Sequence, residues 1–111
     1  MSLAIAHFAV GSGVGALIAV VSGLHHKWYG AMVPYLFGVW AMVPDLHHIM
    51  PFSILSDGIH YIHDSMIANI FVLHRTMDLY DVNDTKAFAG LCLLFMFMCL
   101  STMWIRLYTE R

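Results

Sequence analysis

Residues 43–65, VPDLHHIMPFSILSDGIHYIHDS, concentrate the side chains that could do chemistry. They carry His47, His48, His60 and His63, half of the chain's eight histidines, together with Asp45, Asp57 and Asp64. Imidazole and carboxylate groups bind divalent transition metals and are costly to place in lipid. Asp45 and His48 are three residues apart, as are His60 and His63. On helical turns each pair faces one way. With His7 added, these pairs make a shell of metal ligands. The expected ligands are His7, Asp45, His48 and His63, with Asp64 or His60 serving as general base or orienting a water. Zinc is the expected ion, and iron or manganese also suits mixed imidazole and carboxylate donors. A site using only three or four protein ligands leaves a position for water, whose pKa falls to about 7 on such a metal.

The rest of the chain must hold these residues together. With 111 residues it is a single domain, residues 1–111. It is 60% hydrophobic and only 11% charged. A soluble fold of this length cannot bury so much apolar surface, so lipid is the expected solvent. The net charge of −2 and the lack of a basic run exclude nucleic acid as a partner. Cys92 and Cys99 lie two helical turns apart, too far for a disulfide, and read as small core residues.

The hydropathy pattern predicts an all-α, multi-pass protein of the cell membrane with about four transmembrane helices. The first is residues 3–23, with Gly11 and Gly15 in a G-x-x-x-G suited to close packing, most simply within the same chain. It has no Lys or Arg ahead of its apolar run and no clean A-x-A site at its end, and so reads as a retained helix. His25, His26 and Lys27 form a polar turn expected to be a solvated loop. Residues 30–43 are the second helix. A loop with an interfacial helix over 53–62 leads to a third helix, 64–80, with His74, Arg75 and Asp78 in its later half. There a His74–Asp78 pair sharing one face, or an Arg75–Asp78 pair, would reduce the cost of polarity near the membrane. Residues 87–108 are the fourth helix, which Asp84 or Thr85 could cap. Strict alternation of four spans would gather His7, Asp45, His47, His48, His60, His63 and Asp64 at one face, opposite the His25–His26 turn.

The motifs Pro44-Asp45-Leu46-His47-His48 and His60-Tyr61-Ile62-His63-Asp64-Ser65, following the early His7, resemble the small membrane-bound metal-dependent hydrolase family. That family's pattern is an early histidine, then P-D-x-D-H, then H-R-G-x-x-H-S at the start of a helix. His47 stands in place of the second aspartate, and the last motif is shortened to H-x-x-H-D-S. The resemblance covers residues 6–67 and implies a metal site and a hydrolytic reaction at the membrane surface. A second reading takes the chain as a non-enzymatic small subunit, in a homo-oligomer or a larger membrane complex. Haem would need histidines at matched depths on facing helices, and only His74 is placed deep in a span.

Overall fold

A computed structural model describes residues 4–48, 53–81 and 83–110. The described residues are helical or turn, with no strand, so the all-α expectation holds. Helix α1 is Ala4–Val21, α2 is Met32–Met42, α3 is Ser53–His63, α4 is His74–Tyr80 and α5 is Lys86–Thr109. Three 3-10 turns join them, at Leu24–His26, Val43–His48 and Met66–Ile70.

Helix α1 lies between α2 and α5, and its small residues let both approach. A Cβ on Gly11 would sit 2.5 Å from the Phe37 carbonyl oxygen and 2.7 Å from the Ala41 Cβ. A Cβ on Gly15 would sit 2.8 Å from the Phe37 Cβ. The G-x-x-x-G therefore packs α1 on α2 of the same chain. On the other side of α1, Ala6 and Ala9 cluster with Ala89 and Cys92. Ala16 and Ala19 cluster with Cys99 and Met103. Residue numbers rise together along both helices, so α5 runs parallel to α1. Both cysteines are buried and free.

That direction corrects the expected topology. Only α1 and α5 are long and apolar enough to cross a membrane among the described residues. Their 18 and 24 residues correspond to about 27 and 36 Å, against a hydrocarbon core of about 30 Å. Helix α2 has 11 residues, and with its 3-10 extension the apolar stretch reaches only Met32–Leu46. Residues 64–80 do not form one helix. Val72 and Leu73 take φ of 57° and 59°, the left-handed region that a β-branched residue such as Val72 rarely adopts. There the chain turns back, so α4 stays at the end of the bundle where α1 begins. Helix α5 must then start at that same end.

Thr85 sets the start of α5. Its hydroxyl oxygen accepts from the Phe88 N–H at 3.3 Å, while its own hydroxyl donates to Asp81 at 2.9 Å. The far side of α5 carries Leu91, Leu94, Phe97, Met98 and Ile105, each more than half exposed. An exposed apolar strip of that length suits lipid contact. Trp28 and Tyr108 are both exposed at the end of the bundle where α5 finishes.

Candidate metal centre

Five side chains from four segments meet at the end of the bundle where α1 begins. His7 comes from the first turns of α1, and Asp45 from the 3-10 turn that follows α2. His63 is the last residue of α3, and His74 and Asp78 lie one turn apart on α4. His7, His63, His74 and Asp78 are 3% exposed or less, in a part of the molecule with little room for unpaired charge. Asp45 alone keeps an exposed edge, 14% of its side chain.

The carboxylates sit between the imidazoles. Asp78 Oδ1 lies 2.9 Å from His7 Nε2. Asp78 Oδ2 lies 3.1 Å from His63 Nε2 and 3.6 Å from His74 Nε2. Asp45 Oδ1 lies 3.2 Å from His63 Nε2 and 3.3 Å from His74 Nε2. The second Asp45 oxygen, Oδ2, is buried with no hydrogen-bond partner among the described residues. The His74 ring stacks on His7 with centroids 3.7 Å apart and meets His63 edge-on.

What these contacts mean follows from where each ring keeps its proton. A neutral imidazole has one N–H. His74 Nδ1 donates to the Ala41 carbonyl at 2.8 Å. His63 Nδ1 donates to Asp64 Oδ1 at 3.0 Å. Each neutral ring would then turn a lone pair at Nε2 toward carboxylate oxygens 3.1–3.6 Å away. Lone pairs do not rest against buried anions unless a cation lies between them. That cation is either a proton on each ring or a metal ion. In a tetrahedral site with bonds of about 2.0 Å the ligand atoms are about 3.3 Å apart. The nitrogen–oxygen separations here are close to that spacing. The ligand atoms of His7, Asp45 and His74 lie within 4.8 Å of one another, as do those of His63, His74 and Asp78.

Titration behaviour in the absence of metal agrees with this charge pattern. Burial lowers the His74 pKa, and Asp45, the Ala41 carbonyl and Asp78 outweigh that, so the ring holds its proton more tightly than usual. The hydrogen bond from His63 leads the effects that keep Asp64 ionised.

Of the four ligands expected from sequence, the structure brings His7, Asp45 and His63 together. The side chains of His47 and His48 lie outside the described residues. His60 and Asp64 form an outer layer. Asp64 takes His63 Nδ1 with one oxygen and His60 Nε2, at 2.8 Å, with the other. The pair lines an open cleft of about 480 Å³ with Asp57, Tyr61 and Ser65. The cleft is one imidazole away from the buried carboxylates. Asp64 therefore stands behind His63 as the partner that fixes its tautomer. Asp64→Asn is expected to weaken metal binding about 10–100-fold, the usual cost of losing such a partner, with the helical fold intact. Metal titration followed by circular dichroism checks both halves of that expectation.

His74 and Asp78 were not expected at this site. Their i,i+4 spacing is legible in the sequence, but a continuous third helix over 64–80 would have carried them away from this end. A His–Asp pair one turn apart in an apolar segment is itself a ligand signal when that segment stays at the membrane surface. Comparison of the chain with protein-family models, curated proteins and solved structures finds no match.

Proposed function

We propose that this chain is a small multi-pass membrane protein that holds a divalent metal, zinc first among the candidates, and uses it for hydrolysis at the membrane surface. The observation that carries the reading is the arrangement of His63 and His74. Both commit their Nδ1–H outward, to Asp64 and Ala41, and aim Nε2 at Asp45 and Asp78. Metal-ligating histidines are almost always tied this way. The likeness of Pro44–His48 and His60–Ser65 to the membrane-bound metal-dependent hydrolases points the same way. The apolar lengths of α1 and α5 and the lipid-suited face of α5 support the membrane setting, with α2 and its extension as a third, short crossing.

His7, Asp45, His63, His74 and Asp78 would hold the metal. Such an ion supplies Lewis acidity and a water acidic enough to lose a proton near pH 7. Asp45, the one group of the cluster with an exposed edge, would be the residue placed to orient a water held there. Asp64 holds His63 in register. His60, exposed in the cleft, holds the other oxygen of Asp64 and so steadies that outer layer. Substrates reached from this surface are lipids, phosphoesters or amides.

The test is hydrolysis of phosphoester and carboxylic-ester lipids in mixed micelles, by protein purified in mild detergent without a metal-affinity tag. Turnover that is lost on chelation, restored by zinc or manganese and absent in Asp45→Ala is the expected result. The burial of four of the five groups favours a second reading, a closed structural metal centre in an accessory subunit of a larger membrane complex. Stoichiometric metal with no hydrolysis of any lipid would select that reading. No metal binding, even with metal supplied, would sink both.

A further inference from the structure

The turn expected to be a solvated loop is built differently. Gly23, at φ 75°, opens the 3-10 turn Leu24–His26, and His25 is buried. Its Nδ1 donates to the Ala19 carbonyl at 3.1 Å. Its Nε2 lies 3.0 Å from Glu110 Oε2, just past the end of α5. His26 Nε2 lies 2.8 Å from the same oxygen, and the two rings are 4.0 Å apart. Arg106 donates to the other oxygen, Glu110 Oε1, at 2.9 Å. Because α5 runs parallel to α1, this cluster sits at the opposite end of the bundle from Asp45 and Asp78.

We propose that His25, His26 and Glu110 form a second divalent-metal site of the zinc class, which ties the end of α5 to the turn between α1 and α2. Two imidazoles and one carboxylate are a recurring three-residue zinc shell, with the fourth position left for water. All three ligand atoms lie within 4.8 Å of one another. The nitrogen–oxygen separations of 3.0 and 2.8 Å need to open by only a few tenths of an ångström to reach about 3.3 Å, the edge of a tetrahedral zinc site. His25 already has the backbone-carbonyl partner that fixes a ligating ring. Its N–H is spent on Ala19, so a neutral His25 presents its lone pair to the carboxylate, as His63 and His74 do in the first cluster. Arg106 occupies only the oxygen turned away from the two histidines.

The test is zinc stoichiometry and affinity of the full chain in detergent, after metal removal, for wild type, His26→Ala, Glu110→Gln and Asp78→Asn. His26 and Glu110 are partly exposed, so their replacement leaves the helix packing in place, whereas His25 is buried and is left intact. The expected result is two zinc ions in wild type and one in each single variant. Affinity for the second ion should fall at least about tenfold in His26→Ala and Glu110→Gln. Zinc binding by those two variants that equals wild type would overturn the site. One zinc in wild type, lost in Asp78→Asn but kept in Glu110→Gln, would also overturn it while leaving the first centre standing. One zinc lost in Glu110→Gln and kept in Asp78→Asn would support this site and remove the first.

Discussion

Zinc bound at the buried cluster should leave when Asp78 becomes asparagine. Asp78 is the residue that most of the centre shares, within 2.9 Å of His7, 3.1 Å of His63 and 3.6 Å of His74. Asparagine keeps the volume and one acceptor oxygen and removes the charge. Loss of an outer partner alone weakens metal binding about 10–100-fold, so loss of a central carboxylate should cost more than about 100-fold. Equilibrium dialysis with elemental analysis measures it, and circular dichroism checks that the helices remain. Unchanged zinc in Asp78→Asn would mean that the five residues form an ion-pair network only.

The same centre makes a pH-dependent stability expectation with a definite sign. Without metal, the raised His74 pKa contributes stability that is fully present below the ordinary value of 6.5. That contribution is lost as pH rises through the raised pKa. Zinc takes the place of the proton, so its stabilising effect grows over the same rise. At a free zinc concentration about 1,000 times Kd it amounts to about 4 kcal/mol. Thermal unfolding in detergent with and without zinc, at pH values on either side of neutrality, reads this directly. A zinc effect that shrinks as pH rises would contradict it.

The second large effect is expected from a single methyl group in the contact between α1 and α2. Gly11→Ala would place a Cβ 2.5 Å from the Phe37 carbonyl oxygen and 3.0 Å from the Gly38 Cα. Both are backbone atoms, so the contact is relieved only by moving α2 away from α1. Overpacking of this kind costs about 1–3 kcal/mol. It should also reach the metal centre, because Ala41, one turn further along α2, supplies the carbonyl that holds His74. Gly90→Ala is the control. A Cβ there meets nothing within 4 Å, and alanine in a helix is favoured over glycine by about 0.5–1 kcal/mol. Gly11→Ala is expected to lower the unfolding midpoint and weaken zinc binding, while Gly90→Ala does neither. Equal behaviour of the two variants would show that the α1–α2 contact has slack.

Much of this architecture is legible in the amino-acid sequence alone. Hydropathy marks α1 and α5, because a long apolar run needs no tertiary partner to be recognised. The Gly11–Gly15 spacing announces a close helix contact, and Thr85 announces a helix start. His7, Asp45 and His63 stand out because polar residues beside apolar helices are costly. The break at Val72 and Leu73 is not legible. No glycine or proline lies between residues 64 and 80, and every local preference there is compatible with one continuous helix. The left-handed turn is closed locally by Asn69, which accepts from the Leu73 N–H and, with its side chain, from Thr76, and it is tied to the bundle by His74 bonded to Ala41 and facing Asp45. From that turn follow the direction of α5, the recruitment of His74 and Asp78 to the buried cluster, and the meeting of His25 and His26 with Glu110. Local sequence sets which segments are helical and which residues resist lipid. Only the packed chain decides which of those residues share an end of the bundle, because that depends on how many times the backbone crosses it.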